Sequence, residues 1–295
     1  MDLIFLGTSA GVPTSERGHS AILLIYSGQY LLFDCGEGTQ RQFVKAGISP
    51  LRLDKIFISH LHADHILGLS GLLQTLAMKD YAKELEVYGP VGINAYIESI
   101  KNFFPIVETL KLKINEIKKE SCFDFKEYSI EALPLNHVTP TYGYAFKERD
   151  KIKIKPYYVR LLGGPSPLFK LLKEGKTIEH KGKKIKPKDA TISIPGKKIA
   201  IVLDTRLCQN AIQIAKNADI LIIECVYSKT ISALAREYGH LTTSDVKEII
   251  KKAKPKKIFL THFSERYEGK ESELLREIGL KNVNLARDFL KISLS

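Results

Sequence analysis

The 295-residue sequence contains no tryptophan, two methionines and four cysteines. It also lacks any apolar run of the roughly 20 residues that a membrane-spanning helix requires, so we expect no membrane partner. The four cysteines lie far apart and form no Cys-X-X-Cys pair, which excludes a disulfide framework and is typical of a reducing compartment. The first residues lack the basic start of a signal peptide. These absences together predict a cytoplasmic protein.

Acidic residues are scarce in one part of the chain. The sequence has a net charge of +12, and residues 150–198 alone contain fourteen Lys or Arg but four Asp or Glu. The aromatic residues Tyr157, Tyr158 and Phe169 interrupt this basic segment. A lysine-rich face is often only a solvated surface. A basic segment with interleaved aromatic residues is also typical of proteins that bind a phosphate backbone, and it favours a nucleic acid as partner.

Several apolar, β-branched segments end at a histidine or an acidic residue. Short runs of this composition predict β-strands. The residues at which they end are Asp34, His60, His137, Asp204, Glu224 and His262. Helical patterns occupy residues 66–82, 92–103, 207–217, 243–253 and 271–278. Strands that alternate with helices predict an α/β layered fold, in which the strand-end side chains meet at one edge of the sheets.

Three histidines and one aspartate occur within six residues, in the pattern His-X-His-X-Asp-His. In an extended loop His60 and His62 point to the same side and can bind one metal ion. Asp64 and His65 follow after the chain bends and can reach a second ion. Imidazole and carboxylate ligands without a thiolate suit Zn²⁺, or Mn²⁺ or Fe²⁺, in an open catalytic site. A histidine-rich surface loop is the alternative, and it leaves the isolated strand-end residues unexplained.

The motif resembles the signature of the metallo-β-lactamase superfamily, and the chain as a whole resembles the ribonuclease Z (tRNase Z) family within it. The stretches that carry this second resemblance are residues 5–13, 33–40, 87–90 and 260–267. The resemblance implies a four-layer αββα sandwich, with a single domain over residues 1–295. It also implies that the basic segment, residues 150–198, is an inserted flexible arm that holds tRNA.

The resemblance further implies two zinc ions per subunit. The ligands of the first ion are His60, His62 and His137. The ligands of the second ion are Asp64, His65 and His262. Asp204 bridges the two ions. Glu224 and His240 match a family pair in which the glutamate orients a histidine that acts on the leaving group.

Further roles follow from the chemistry that RNA cleavage needs. Asp64 is the expected proton acceptor and His240 the expected general acid. We expect Asp34 to hydrogen-bond a ligating histidine rather than to bind metal itself. His19 and His180 have no such context, and we interpret both as surface residues.

Eight residues are expected to contact RNA. They are Lys151, Lys153, Arg160, Gly164, Pro165, Lys170, Lys173 and Arg266. The chain departs from the family pattern where it has Arg17-Gly18 in place of Arg-Asn, and in the loops that follow Glu224 and His240. These departures concern fine substrate contacts rather than the metal ligands.

The expected function is that of a zinc-dependent endoribonuclease. It would remove the 3′ trailer from precursor tRNA after the discriminator base, leaving a 3′-hydroxyl on the tRNA and a 5′-phosphate on the trailer. The resemblance also implies a homodimer. One alternative is a hydrolase of a small phosphodiester, thioester or lactone, although a small substrate gives no reason for the basic segment. A second alternative is a non-catalytic RNA-binding module with a degenerate metal site.

Overall fold

Two seven-stranded sheets form the centre of the fold in the computed structural model, which describes residues 1–294. The strands of the first sheet are β1 (Asp2–Gly7), β2 (Ala21–Tyr26), β3 (Gln29–Phe33), β4 (Leu53–Phe57), β5 (Glu84–Pro90), β6 (Lys111–Ile117) and β18 (Lys291–Ser293). They lie in the order β18-β1-β2-β3-β4-β5-β6. Strands β3 to β6 run parallel, so their carboxyl ends meet at one edge.

The second sheet repeats this arrangement with a parallel half of its own. Its strands are β7 (Ser121–Asp124), β8 (Tyr128–Pro134), β9 (Tyr142–Glu148), β14 (Lys198–Val202), β15 (Ile220–Glu224), β16 (Lys257–Thr261) and β17 (Val283–Leu285). They lie in the order β17-β16-β15-β14-β9-β8-β7. Strands β14 to β17 run parallel.

Helices pack on the outer face of each sheet. Those against the first sheet are α1 (Thr39–Lys45), α2 (Ala63–Ile66), α3 (Gly68–Met78) and α4 (Ile93–Phe103). Those against the second sheet are α8 (Gln209–Ala215), α10 (Thr243–Ala253) and α11 (Glu271–Ile278). A further helix, α9 (Ser232–Tyr238), lies in the connection between β15 and α10. The helix leucines and isoleucines form one buried cluster with each sheet, which gives the protein two apolar layers outside the strands.

Aromatic side chains fill the space between the two sheets. The rings of Phe5 and Phe259 have centroids 5.8 Å apart, and Tyr144 lies 5.9 Å from Phe33 and 5.6 Å from Phe57. The central strands are therefore buried on both faces, and for this reason they read as continuous apolar runs rather than as alternating ones. The layers follow the order helix, sheet, sheet, helix, and the predicted αββα sandwich is confirmed.

Contacts divide the chain into two units. The first unit comprises residues 1–123, 130–146 and 199 onwards, and the second unit comprises residues 124–129 and 147–198. The second unit contains β10 (Lys151–Ile154), α5 (Pro156–Leu161), α6 (Leu168–Lys173), β11 (Ile178–His180), β12 (Lys183–Ile185), α7 (Pro187–Ala190) and β13 (Thr191–Ile194). It has a small apolar cluster of its own, centred on Leu172, Ile178, Ile185 and Ala190. The segment predicted as an arm falls within this unit, and its role stays a prediction.

The predicted helices differ in how well they agree with the observed ones. The patterns at 243–253 and 271–278 coincide with α10 and α11. Thr242 begins α10 with a capping box, because its hydroxyl accepts from the Asp245 amide (3.3 Å) while the Asp245 carboxylate accepts from the Thr242 amide (2.9 Å). The single helix expected at 66–82 is instead α2 followed by α3, which ends at Met78. Among the described residues, no helix has the length and apolarity that a membrane crossing needs.

Candidate metal centre

The seven predicted metal ligands all lie in the first unit, in loops at the carboxyl ends of strands. His60, His62, Asp64 and His65 follow β4 and lead into α2. His137 follows β8, Asp204 follows β14 and His262 follows β16. The loops after β4, β14 and β16 leave the parallel halves of the two sheets at the same edge. The loop after β8 reaches this edge as well, and the structure gathers all seven side chains there. We call this set the candidate metal centre.

Three residues at strand ends have a backbone conformation that is uncommon outside glycine. Asp34, Asp204 and His262 have φ values of 57°, 46° and 58°, in the left-handed region. Each of them follows a buried strand and turns the chain sharply at its end. The sharp turn lets an acidic or imidazole side chain point across the sheet edge instead of continuing the strand alternation. Strained backbone conformations of this kind cluster at functional sites.

The first ligand group consists of His60, His62, His137 and Asp204. Their ligand atoms all lie within 4.8 Å of one another. His137 Nε2 is 3.2 Å from His62 Nδ1, and Asp204 Oδ2 is 3.5 Å from His60 Nε2 and 3.9 Å from His137 Nε2. Three nitrogens and one carboxylate oxygen therefore surround one point, which is the ligand set of a zinc site.

The second ligand group consists of Asp64, His65, His262 and, again, Asp204. The Nε2 atoms of His65 and His262 are 3.0 Å apart. Asp64 Oδ2 lies 3.3 Å from His65 Nε2 and 3.2 Å from His262 Nε2. Asp204 contributes its other oxygen, Oδ1, at 3.4 Å from His65 and 3.3 Å from His262. Because each group uses a different oxygen of Asp204, this residue has the geometry of a bridging ligand.

Unpaired buried atoms test whether these residues fit metal ions. His60 Nε2 and Asp204 Oδ1 are buried and have no hydrogen-bond partner within residues 1–294. Buried polar atoms without a partner are rare because desolvation is costly. Both atoms belong to the candidate metal centre, and imidazole with carboxylate is the donor set that Zn²⁺ accepts. The residues therefore fit a metal pair.

Hydrogen bonds at the far side of the rings orient the candidate ligands. His65 Nδ1 donates to Asp34 Oδ2 (2.7 Å), and His137 Nδ1 donates to the Gly239 carbonyl (2.9 Å). The Ser59 hydroxyl lies 3.0 Å from His60 Nδ1 and donates to the same Asp34 oxygen (2.9 Å). These bonds leave the Nε2 atoms of His60, His65 and His137 free for a ligand. Asp34 thus makes the contact that the sequence suggests for it.

Gly239 is required for one of these bonds. A Cβ at this position would lie 2.7 Å from His137 Nδ1, and its φ of 80° is in the left-handed region. Any side chain would therefore push the ring of His137 away from the centre. Gly239 also immediately precedes His240, so the turn at Gly239 directs the backbone that carries His240.

Glu224 and His240 form a pair beside the two ligand groups. His240 Nδ1 lies 3.0 Å from Glu224 Oε2, and the other Glu224 oxygen accepts from the Thr205 amide (2.7 Å). His240 Nδ1 is 4.0 Å from Asp204. Glu224 is fully buried, and both its oxygens are engaged. The carboxylate is thereby fixed, and it in turn fixes the ring of His240.

Burial and charge shift the pKa values of the histidines in opposite directions. Burial lowers the pKa of His137 to about 4 and that of His60 well below its usual range, so both rings are neutral at pH 7. Burial opposes the charge on His65 too, but the carboxylates around it outweigh burial and raise its pKa well above the usual range. Burial also opposes the charge on His240, but the neighbouring Glu224 carboxylate outweighs this effect and raises the pKa of His240 to about 9. His240 is therefore protonated at neutral pH.

The predicted RNA contacts are split between the units. Seven lie in the second unit: Lys151 and Lys153 on β10, Arg160 on α5, Gly164 and Pro165 in the next loop, and Lys170 and Lys173 on α6. The five basic side chains among them are exposed. The eighth, Arg266, lies in the first unit in the short 3-10 helix Glu265–Tyr267. The structure therefore brings the metal ligands together within the first unit, whereas the predicted RNA contacts belong to both units.

Sequence interpretation misplaced one residue, His19, and overlooked another, Tyr227. His19, expected on the surface, is 8% exposed, because a parallel bridge pairs it with Ser9 and its Cβ packs against Gly36. The surface assignment of His19 is therefore wrong. Tyr227 has a ring centroid 5.9 Å from that of His240 and was not singled out. A lone histidine or tyrosine in a loop gives no periodic signal, so neither contact could be read from the sequence.

The amino-acid sequence is similar to those of known proteins over nearly its whole length. The family model described as Anti-Pycsar protein Apyc1 matches residues 1–154. A ribonuclease BN of Escherichia coli is 40% identical, with 98% of each chain covered. A ribonuclease Z of Geobacillus kaustophilus is 36% identical, with 100% of this chain and 99% of that protein covered.

Solved structures extend the likeness to the fold. The short form of human tRNase Z has a TM-score of 0.73 and 28% identity, with 100% of both chains covered. The metallo-β-lactamase fold protein YhfI from Bacillus subtilis has a TM-score of 0.70 and 19% identity, with 99% of this chain and 98% of that chain covered. The fold and its clustered histidines and aspartates thus define a metallo-β-lactamase fold protein. Within that class, the chain belongs to the ribonuclease BN and ribonuclease Z family, with its first 154 residues also in the family of the Anti-Pycsar protein Apyc1. The predicted family is confirmed, and the protein is a nuclease.

Proposed function

We propose that the protein is a zinc-dependent endoribonuclease that removes the 3′ trailer of precursor tRNA after the discriminator base. The tRNA would keep a 3′-hydroxyl and the trailer a 5′-phosphate. The observation that carries the proposal is the convergence of two ligand groups on Asp204, with the Glu224–His240 pair beside them. Relatives named ribonuclease BN and ribonuclease Z over nearly the full length support it. The proposal includes a cytoplasmic homodimer.

Two zinc ions would be held by the two ligand groups of the candidate metal centre. The first group offers three imidazoles and the second offers two imidazoles with the Asp64 carboxylate, while Asp204 serves both. When bound, a metal pair supplies a water nucleophile at neutral pH and neutralises charge on the phosphate oxygens. The remaining steps fall to side chains of this chain.

Asp64 is the proposed proton acceptor for the attacking water. Its side chain is 12% exposed, whereas that of Asp204 is 3% exposed, so Asp64 is the carboxylate that water reaches. Burial raises the pKa of Asp64, but His65 and His262 outweigh burial and hold this pKa well below its usual range. The carboxylate is therefore ionised at neutral pH, as a group that takes a proton from water must be.

His240 is the proposed proton donor to the departing 3′-oxygen. A general acid must hold a proton at working pH, and the raised pKa of His240 meets this need. Its Nδ1 faces Glu224, so its other ring nitrogen, Nε2, remains for the leaving group. A positioned general acid contributes roughly 10²- to 10⁴-fold to a rate.

The second unit is the proposed tRNA-binding arm. Most of its basic side chains are exposed around a small apolar cluster, and the basic residues contribute most of the net charge of the chain. Exposed lysines and arginines neutralise phosphates and release counterions, so that binding weakens steeply with salt. We expect the five basic residues named in this unit, and Arg266 of the first unit, to contribute to this salt-dependent binding, and Gly164 and Pro165 to contact the RNA without a charge.

Cleavage of a defined precursor tests the proposal. Zinc-loaded protein is incubated with a 3′-extended tRNA, and the cut site and both new ends are mapped. The proposal expects a cut directly after the discriminator base, with a 3′-hydroxyl and a 5′-phosphate. A cut elsewhere, a 3′-phosphate end, or an intact precursor in the presence of bound zinc would contradict it. The Asp64→Ala variant controls for a contaminating nuclease.

One rival function has a specific observation behind it. The match to the Apyc1 family ends at residue 154, so it covers the His-X-His-X-Asp-His motif but little of the basic segment. A hydrolase of a small phosphodiester would need the motif and not the segment. Parallel assays with bis(p-nitrophenyl) phosphate and precursor tRNA separate the two functions, because only the tRNA nuclease strongly prefers the RNA.

A further inference from the structure

A cavity of about 430 Å³ opens beside His240 in the first unit. Its walls include His240, Tyr227, Tyr238, Arg266, Leu234 and Val12. None of these residues except His240 has a role in the proposed proton transfers or in metal binding. The cavity therefore adjoins the reacting position without being part of the candidate metal centre.

Tyr227 forms a fixed wall of this cavity. It is 7% exposed and packs in a small buried cluster with Ala10, Val226 and Ala235. Its carbonyl accepts from the Thr243 amide (3.0 Å), and its ring meets that of His240 edge-on. The buried cluster packs against one side of the ring, and the hydrogen bond to Thr243 holds the backbone of Tyr227. The ring therefore has a fixed position in the cavity wall.

Arg266 is held against this wall. Its guanidinium carbon lies 5.3 Å from the centroid of the Tyr227 ring, and its Nε donates to the Ser264 hydroxyl (3.1 Å). That bond uses one of the five N–H groups of the guanidinium. The remaining N–H groups stay available for acceptors on the edge of a ligand.

Tyr238 supplies the open face. It lies at the end of α9 and is 52% exposed, so its ring is accessible from the cavity mouth. Together with Leu234 and Val12 it makes the lining largely aromatic and aliphatic. A phosphate group would need several cations. The charge of His240 is paired with Glu224, and the lining otherwise offers one arginine with the acidic Glu265 next to it. A flat heteroaromatic ring with polar edges fits these walls better.

We propose that this cavity binds the base of the nucleotide whose 3′-oxygen leaves, that is, the nucleotide on the 5′ side of the cut. The inference rests on the proposed function, because His240 must face that oxygen in order to protonate it. The base attached to the same ribose then reaches the cavity next to His240. Tyr238 stacks on the base, and Arg266 donates to its edge.

Base removal at single positions tests the inference. Three 3′-extended tRNAs are compared: an intact one, one that is abasic on the 5′ side of the cut and one that is abasic on the 3′ side. Loss of one stacked base is expected to lower kcat/KM of the wild-type protein by about 5- to 150-fold on the 5′-abasic substrate. Tyr238→Ala should cleave the intact substrate with a similar loss and show less than about a twofold further loss when that base is absent.

Two controls keep the result specific. Phe103→Ala removes another exposed aromatic residue, on α4, and should retain the full wild-type penalty for the 5′-abasic substrate. The thermal unfolding midpoint and the bound zinc of Tyr238→Ala, which do not depend on base binding, should match those of the wild-type protein. If Tyr238→Ala fails this folding control, Arg266→Gln provides the second test, since that side chain is also exposed.

The outcomes distinguish this inference from the function on which it rests. Equal penalties for the 5′-abasic substrate in wild type and both variants would overturn the base-binding role. A penalty confined to the 3′-abasic substrate would overturn it as well. In either case, cleavage of the intact precursor would leave the proposed function standing. Failure of the zinc-loaded wild-type protein to cut the intact precursor would instead remove the function itself.

Discussion

The candidate metal centre and the second unit hold their polar residues in opposite ways. In the centre, acidic and imidazole groups are buried or half-buried, and each lies within 4.0 Å of another. In the second unit, lysines and arginines are exposed on a small apolar cluster, and most of them project into water. The arrangement of the candidate metal centre depends on a few close contacts, whereas the proposed RNA binding of the second unit depends on the number of its charges.

This difference sets how each region responds to substitution. In a buried cluster the loss of one group leaves its neighbours without a partner, so single changes have large effects. Exposed charges interact weakly with one another, and their contributions to phosphate binding are small and nearly additive. The two regions are therefore expected to separate in assays of chemistry and of affinity.

Asp64→Ala should give the largest effect. The side chain is both a proposed ligand and the proposed proton acceptor, so we expect kcat/KM on a 3′-extended tRNA to fall by about 10⁴-fold or more. The tRNA Kd, measured by fluorescence anisotropy, should change less than about twofold, because affinity belongs to the exposed charges. Glu98→Ala, which removes a surface carboxylate on α4, is the matched control. A parallel loss of tRNA binding would argue against the separation of the two regions.

His240→Asn should follow, with a fall in kcat/KM of roughly 10²- to 10³-fold on tRNA and no change in bound zinc. The physical reason is loss of the proton donor to a poor leaving group, the ribose 3′-oxygen. Nitrophenolate leaves without a proton, so hydrolysis of bis(p-nitrophenyl) phosphate should be much less affected. Equal losses on both substrates would speak against the acid role. Zinc content by mass spectrometry under native conditions checks that the site is intact.

Deletion of residues 152–191 tests the second unit while it leaves the candidate metal centre in place. It removes the entire small apolar cluster of the second unit together with most of its basic residues. We expect tRNA binding to weaken by about 100-fold at low salt, with a shallower salt dependence. Hydrolysis of bis(p-nitrophenyl) phosphate should remain within about twofold of the wild-type rate. Unchanged tRNA affinity would exclude a binding role for this segment.

Asp34→Asn should have an intermediate effect. The change weakens the charge-assisted bond to His65 Nδ1 without removing a ligand atom. Loss of such a supporting bond typically lowers metal affinity by roughly 10- to 100-fold. Zinc titration with a chelator measures the effect, and activity should return at high zinc. A loss of activity that zinc does not restore would contradict the supporting role.

Lys170→Gln should have the smallest effect. Loss of one phosphate contact is expected to weaken tRNA binding by about two- to fivefold and to lower the slope of log Kd against log salt by about one. Lys79→Gln, an exposed lysine of the first unit, is the matched control. An effect as large as that of the whole deletion would show that the charges of the second unit do not act independently.

The sequence predicts the layers and the ligand positions well, for a physical reason. Central strands that are buried on both faces must be continuously apolar, so the first polar residue after each run marks the sheet edge. Asp204 and Glu224 are that first polar residue, and His60 and His262 each follow one small polar residue, whereas His137 comes after the alternating strand β8. The helices α10 and α11 are equally visible, because α10 carries its own capping box and both have one apolar face.

Other features of the site depend on packing between distant segments. The sequence gives no sign that Gly239 must make room for His137, or that Tyr227 stands beside His240. His19 reads as a loop residue, yet a single bridge to Ser9 buries it. These contacts join segments that are far apart in the chain, and a pattern within one segment cannot reveal them.

The left-handed turns at Asp34, Asp204 and His262 have a practical consequence for protein engineering. Aspartate, asparagine and histidine tolerate positive φ better than other non-glycine residues. The same short list contains the side chains that belong to or support the candidate metal centre, so chemistry and backbone shape select the same residue types here. Asparagine at any of the three positions should therefore yield a protein that still folds but binds metal more weakly, whereas valine or isoleucine would damage the turn itself and confuse lost function with lost structure.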